Sequence, residues 1–332
     1  MKVLLTGNHV YPAAAQKSAG RRVTELPSGS AQRLQDLTAR GLVEAGHEVV
    51  YYLTKPPAGR PPRGVTVVDR WITNVDVVHT HVQREEFEDE ARALQLPFIS
   101  VLHLHPSSRP AAMPEPREEW VYVSRFLAEA LGGTRFVHNG VDPADYAYSE
   151  AKDDYVLFLS SMDWCVEKGL DVAIALSKRI GFRLVVAGSA RTEERLAAAM
   201  ALCAEGGAEY VGDVQGNEKA ELLAGARALL HPSRYQEACP LSIIEALMSG
   251  TPVITTPWGA SAELMTRDAG FLCRDESDYV DAFARLGEIA PRACRDHALA
   301  RFHYRRMVAG YLREYETAIG AFTTAGAHPS TE

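Results

Sequence analysis

The chain has 332 residues, 46% of them apolar and 23% charged, the make-up of an ordinary globular protein with room for two domains. A formal net charge of −8 excludes a general nucleic-acid binder, because phosphate backbones are held by clustered lysine and arginine. No run of about 18 uncharged apolar residues is present to span a bilayer, and the five scattered cysteines, never in CxxC spacing, exclude a disulfide framework or a cysteine zinc site and predict a reducing cytoplasm.

The apolar start, Val3-Leu4-Leu5, is shorter than the ~7–15 residues of a secretion signal and reads as a first strand, Lys2 to Thr6. A long polar loop follows, through Pro27. A helix from about Ala31 carries Leu34, Leu37, Leu42 and Val43 at helical spacing and stops at Gly46. Further strands are predicted at Glu48–Leu53, Asp76–His79, Pro97–Leu102 and Trp120–Val123, with a helix beginning near Ser124. The proline-rich stretches Pro56–Pro62 and Pro106–Pro116 read as surface loops. His79/His81 and His103/His105 are pairs two residues apart, which share a face on a strand. No carboxylate or cysteine joins either pair at ligand spacing, so polar lining is the better account than a metal.

The second half restarts the alternation. Strands are predicted at Tyr155–Leu159, Arg183–Val186 and Glu209–Val211, with helices at Leu170–Ile180, Glu193–Cys203 and Lys219–Ala224. A strand at Ala228–His231 then ends in the loop Pro232–Glu237, followed by a short helix, Gly250-Thr251-Pro252 and the strand Val253–Thr256. Short β-branched runs alternating with helices predict two parallel-sheet domains, α/β and Rossmann-like, facing each other across a cleft where a ligand sits. The polar segment Ala144–Asp154 lacks apolar periodicity and marks the boundary. The expected division is 1–147, 148–304, a terminal helix at 305–322 packing back on the first domain, and a disordered tail at 325–332.

The most informative stretch is Glu237 to Glu245, EACPLSIIE. Two glutamates with seven residues between them bracket a helix start at the carboxyl end of a strand, where ligands of open α/β sheets bind. Unpaired N–H groups there suit a diphosphate, and a glutamate one turn further in suits a ribose. Ile243, Ile244, Leu247 and Met248 form the apolar stripe of that helix, which predicts Glu245 off the core face. Lys168 opens another helix with Gly169, where a cation is unfavourable beside the dipole unless an anion accompanies it.

These residues carry a resemblance. His79-Thr80-His81, the strand ending at His103, Asn139-Gly140-Val141-Asp142 and Glu167-Lys168-Gly169-Leu170-Asp171 follow in one order with Gly188 and Gly212-Asp213-Val214. His231-Pro232-Ser233, the nine-residue stretch and Gly259–Glu263 complete the series. The chain resembles the GT-B glycosyltransferases of the large retaining family four (glycosyl transferases group 1) over nearly its whole length, with the specific motifs in the second half. The resemblance implies a GT-B fold with an acceptor-binding first domain and a nucleotide-sugar donor domain. It also implies donor binding by Gly29, Lys168, Gly188, Glu237, Cys239, Pro240, Leu241 and Glu245, with catalytic roles for His103, Lys168 and Glu237. Glu245 is expected on the ribose, Glu237 and His103 near the sugar, and Lys168 on the leaving diphosphate.

Three positions depart from the family pattern. The arginine that follows a glycine shortly before the lysine is missing; Ser160-Ser161-Met162 and then Asp163-Trp164-Cys165-Val166 stand there, in a loop about two residues longer than usual. Arg191 and Arg234, both on strand-end loops, are the candidate substitutes. Ser28-Gly29 stands for a Gly-Gly pair, and Gly259 with Glu263 stands for a GG-x-x-E loop whose glutamate caps a helix or closes the site.

The expected activity is metal-independent transfer of a sugar, with retention, from a nucleoside diphosphate to a hydroxyl of a small molecule or glycan precursor. No cofactor, metal, nucleic-acid partner or transmembrane segment is expected. A GT-B nucleotide-sugar epimerase and a catalytically impaired nucleotide-sugar-binding protein are the alternatives. A nicotinamide oxidoreductase is disfavoured because GxGxxG follows the first strand of neither half.

Overall fold

The computed structural model describes residues 1–7, 30–55, 61, 63–82, 84–103 and 116–326. The chain forms two compact units. The first opens with β1 (Lys2–Gly7), α1 (Ser30–Glu44), β2 (Glu48–Leu53), β3 (Val65–Val68) and β4 (Val77–His81). It continues through α2 (Glu85–Ala93), β5 (Phe98–Leu102), β6 (Trp120–Tyr122) and α3 (Arg125–Ala130). Its six strands are all parallel in the order β3-β2-β1-β4-β5-β6. Strand order reverses between β1 and β4, so the chain leaves their carboxyl ends in opposite directions and opens a crevice there.

The second unit runs from Val141 to His303. It contains β7 (Val156–Leu159), α4 (Leu170–Ile180), β8 (Leu184–Ala187), α5 (Glu193–Gly206), β9 (Glu209–Gly212) and α6 (Gly216–Gly225). After these come β10 (Ala228–His231), α7 (Leu241–Met248), β11 (Val253–Thr255), α8 (Ser261–Leu264), β12 (Gly270–Leu272), α9 (Glu276–Ala284) and α10 (Pro291–Phe302). The sheet is again parallel, in the order β12-β11-β10-β7-β8-β9. Its reversal falls between β7 and β10. The four inner strands, β7, β8, β10 and β11, are buried on both faces and read as largely apolar runs, as helix-covered parallel sheets require. Val156, Phe158, Val186, Leu230 and Ile254 form its core with Leu170, Ala173 and Ile174 of α4.

The last helix, α11 (Tyr304–Gly326), belongs to the first unit. It lies against α1, where a side chain at Gly41 would meet Val308 and Tyr304, and the Tyr304 hydroxyl donates to Glu44 at 2.6 Å. Helix is described through Gly326, so Ala325 and Gly326 are helical where a tail is expected; residues 327–332 lie outside the described part of the chain. So do the loop Asn8–Pro27, Gly29, most of Pro56–Pro62 and most of Pro106–Pro116. Among the described residues, no helix is long and apolar enough to cross a membrane.

Candidate active site

Lys168 and Glu237 come from the loops that follow β7 and β10, the two strands flanking the reversal of the second sheet. The β7 loop is built by local capping. The Ser161 hydroxyl accepts from the Asp163 N–H at 3.3 Å, and the chain closes a tight turn at Lys168 and Gly169 through bonds to Trp164 and Val166 carbonyls. Gly169 adopts a left-handed φ of 86°, and a Cβ there would strike the Pro232 carbonyl. A glycine is therefore required to seat the β7 loop on the β10 loop. That contact carries Lys168 to Glu237.

The Lys168 ammonium and a Glu237 carboxylate oxygen form an ion pair in which both side chains are largely buried. The other oxygen lies 2.9 Å from His231 Nε2, at the last residue of β10. The Lys168 ammonium also stands 5.5 Å from the Tyr235 ring centre. Burial opposes ionisation of Glu237, but His231 and Lys168 outweigh it and bring the carboxyl pKa down to about 2. The anion that accompanies Lys168 at its helix start is thus Glu237 itself. The backbone of Glu237 is clasped from the far side by the Gly259 turn: the Ala260 N–H donates to the Glu237 carbonyl at 2.9 Å, and a Cβ on Gly259 would strike the Glu237 backbone. Helix α8 follows, with Ala260 as its N-cap and Glu263 in its first turn.

Cys239 and Pro240 are buried, and Leu241 begins α7 with Pro240 as an N-cap that offers no side-chain bond. Pro240 leaves the first-turn N–H groups of α7 without a bond from the N-cap side chain, and they point from the helix end that favours anions. Gly188 follows β8 with a φ of 146°; a Cβ there would strike the Ser160 carbonyl, so glycine lets the β7 and β8 loops touch.

The site departs from the sequence expectation at Glu245. That residue is not on an exposed face but is 4% exposed. Its Oε1 accepts from the Tyr146 hydroxyl at 2.8 Å and its Oε2 pairs with Lys219 at 2.6 Å. The apolar stripe of α7 is wider than its four marker residues suggest, because α6 and the turn before Tyr146 cover the adjoining face. The two candidate phosphate cations are also engaged. Arg191 pairs with Asp163 at 2.9 Å, and Arg195 reaches the same carboxylate at 3.8 Å. Arg234 bonds Asp171 and donates to the Val166 carbonyl at 2.8 Å. Both arginines remain half or more exposed.

In the first unit, His79, His81 and His103 line the carboxyl ends of β4 and β5. Ring centres are 5.6 Å apart for His79 and His81 and 5.1 Å for His81 and His103. His79 Nδ1 meets the Tyr315 hydroxyl of α11 at 2.7 Å. Burial lowers the His79 pKa to about 3 and that of His103 to about 4. Nε2 of His103 is buried with no hydrogen-bond partner. Among the described residues, no group of three or more His, Cys, Asp or Glu side chains is placed to hold a metal.

Comparison with known proteins fits this geometry. Residues 153–288 match the family model Glycosyl transferases group 1. A curated phosphatidyl-myo-inositol mannosyltransferase from Mycolicibacterium smegmatis is 28% identical over 220 residues, 59% of this chain and 55% of the relative. The chain thus spans about half the length of that relative. AviGT4, a glycosyltransferase involved in avilamycin A biosynthesis, superposes with a TM-score of 0.70 at 26% identity, covering 96% of this chain and 98% of that one. The fold is shared with Anabaena HepE, solved with UDP and glucose, at a TM-score of 0.69 and 14% identity over 98% and 100% of the two chains. The second half thus matches the glycosyl transferases group 1 family, and the chain as a whole shares the fold of the GT-B glycosyltransferases.

The motifs in the sequence lead to Lys168, Glu237 and His231 but not to the partners of Glu245. His231 is visible as a strand-end histidine six residues before Glu237, which is a usable signal. Lys219 and Tyr146, which hold Glu245, lie 26 and 99 positions away from it, and no local pattern joins them. Asp163, the carboxylate that gathers Arg191 and Arg195, sits in the loop where the family's arginine is missing.

Proposed function

We propose that the chain is a metal-independent retaining glycosyltransferase that moves a sugar from a nucleoside diphosphate to a hydroxyl of a small molecule or glycan precursor. One observation carries this reading: Glu237 is held ionised by Lys168 and His231 beside the start of α7, where the N-cap Pro240 offers no side-chain bond. The diphosphate docks on the N–H groups of Leu241 and the residues after it. Lys168 then shares its charge between Glu237 and the leaving phosphate, lowering the barrier as the anomeric C–O bond breaks. Glu237 bonds the sugar hydroxyls and stabilises positive charge at the anomeric carbon. Glu245 binds the ribose. The departing phosphate oxygen takes the acceptor proton, the acceptor oxygen bonds the same face of the sugar, and no covalent enzyme intermediate is needed. His103, kept neutral by burial, presents an imidazole to the sugar. Glycines 29 and 188 are assigned to backbone approach to the donor.

AviGT4 is involved in avilamycin A biosynthesis and the mycobacterial relative is a phosphatidyl-myo-inositol mannosyltransferase; the greater coverage of AviGT4 favours a small-molecule acceptor. Five unpaired cysteines agree with a reducing, cytoplasmic setting. The test is a panel of UDP-, GDP- and dTDP-sugars, with and without acceptor extracts and a chelator, read by diphosphate release. The product's anomeric configuration is then read by NMR. Acceptor-dependent release that survives the chelator supports the reading, and inversion at the anomeric carbon removes the retaining assignment.

A second reading is a nucleotide-sugar-binding protein with impaired catalysis, favoured by the missing arginine and by the ion pairs that occupy Arg191 and Arg234. Such a protein binds the nucleotide sugar, protects it, and releases no diphosphate in the same assay.

A further inference from the structure

The buried setting of Glu245 points beyond the motif that identifies it. Three separate elements of the second unit converge on this carboxylate. Tyr146, 6% exposed, follows a short turn at Pro143–Asp145 that Asp142 caps through the Ala144 N–H at 3.0 Å. Arg295 of α10 holds that turn from behind, donating to the Pro143 and Tyr146 carbonyls at 3.4 Å and to the Met248 carbonyl at the end of α7. The Tyr146 hydroxyl is thereby fixed on Oε1 of Glu245. Lys219, in the first turns of α6, takes Oε2.

A carboxylate free to rotate or to take up a proton recognises a diol poorly, because its plane is not fixed and a protonated oxygen becomes a donor. Two donors on its two oxygens remove both freedoms: the phenol sets the plane, and the ammonium on the second oxygen makes it an acceptor. We infer that Tyr146 and Lys219 are positioning residues that hold Glu245 as an acceptor-only clamp, so that the donor site selects nucleotides by the hydroxyls of their sugar. This inference rests on the donor-site reading above and deepens it. A buried site built to accept from a hydroxyl discriminates strongly against the analogue lacking it.

The experiment measures binding of UDP, GDP and dTDP, and of the 2′,3′-dideoxy form of each, by calorimetry on the full chain. Native protein binds at least one of the three more tightly than its dideoxy form. Tyr146→Phe, which deletes one oxygen and leaves the ring in place, weakens the hydroxylated nucleotide about tenfold and its dideoxy form by less than about twofold. Lys219→Met abolishes most of the discrimination and Lys219→Arg restores it, a rescue that lost packing alone would not show. Glu245→Ala separates the layers. If it keeps full preference for the hydroxylated nucleotide, the ribose assignment falls, and this inference with it. If Glu245→Ala loses that preference while Tyr146→Phe retains it, or loses equal affinity for both forms, the clamp alone is overturned. Absence of nucleotide binding by native protein overturns both. Should Lys219→Met fail to fold, Tyr146→Phe decides the matter.

Discussion

In the second unit the strand ends carry paired charges, Lys168 with Glu237 and Lys219 with Glu245; in the first they carry His79, His81 and His103. The sheets share one topology, each reversing direction beside its first strand. Their end loops therefore offer similar crevices and differ in what fills them. The difference follows from solvation. Burial drives the His79 and His103 rings to their neutral form, whereas Glu237 keeps its charge because two cation-capable neighbours overcome the same penalty. The charged end suits a diphosphate, and the neutral end suits hydroxyls.

The largest expected effect tests the charged side. Glu237→Ala lowers turnover by about 10²–10³-fold, the range for removal of one electrostatic stabiliser, while Lys168→Ala lowers it by at least about tenfold, ~1.4 kcal/mol. His103→Ala, which removes a neutral hydrogen-bonding ring, costs about tenfold or less. These rates are read with saturating donor. If His103→Ala were the more damaging, the division of labour between the two sheets would be reversed.

Acid separates the units next. His79 and His103 have folded pKa values of about 3 and 4, below the ordinary 6.5. Between pH 6.5 and those values the unfolded chain binds protons that the fold refuses. Their contribution is complete above pH 6.5 and is lost as pH falls. Glu237, at about 2 against 4.5, contributes fully above pH 4.5 and loses its share only below that. Each window is worth on the order of a few kcal/mol. Segment-resolved hydrogen exchange from pH 7 to 4.5 is expected to show β4 and β5 losing protection while β7 and β10 keep theirs. Loss in the opposite order would break the contrast.

Most of this contrast was legible in the sequence on one side only. Glu237, Lys168 and Gly169 announce themselves because a lysine at a helix start calls for an anion and because these residues fall in a recurring order and spacing. The sequence predicts Glu245 off the core face of α7, but an apolar stripe says nothing about α6 or the Tyr146 turn covering its flank. Helix α2 carries little apolar signal because its sequence, EEFEDEARA, has few apolar residues; it docks with a buried Glu88, which pairs with Arg92 one turn along the same helix and with Arg117 and accepts from the Ser100 hydroxyl of β5. Strands β3 and β12 are short, partly exposed sheet edges, where the apolar signal is weakest. Long-range pairing decided these cases, and a single sequence does not print it.

Tyr315→Phe probes the tie between α11 and the neutral end. It leaves His79 Nδ1 buried without its 2.7 Å partner, at a cost of about 1–3 kcal/mol. The expected result is a lower denaturation midpoint at unchanged urea dependence, with donor affinity intact. A loss of nucleotide affinity instead would mean that the first unit, and not only the second, sets donor binding.

The smallest effects come from the exposed arginines. Arg234 and Asp171 are both substantially exposed, and their ion pair is of the surface kind, worth about 0–1 kcal/mol. Arg191 is exposed but its partner Asp163 is buried, and that carboxylate keeps the Arg191 backbone N–H and Arg195 when the Arg191 side chain is removed. Arg191→Ala and Arg234→Ala are therefore expected to leave the melting temperature nearly unchanged. A pair that weak is easily exchanged for a phosphate. Whichever arginine replaces the missing family cation shows a severalfold loss of affinity for nucleoside diphosphate and none for the nucleoside, with the loss shrinking as salt is raised. Asp163→Asn, which weakens the competitor for Arg191, shifts diphosphate affinity the other way if Arg191 is the one. Equal affinities in all three variants would mean that Lys168 and the start of α7 meet the diphosphate without a second cation.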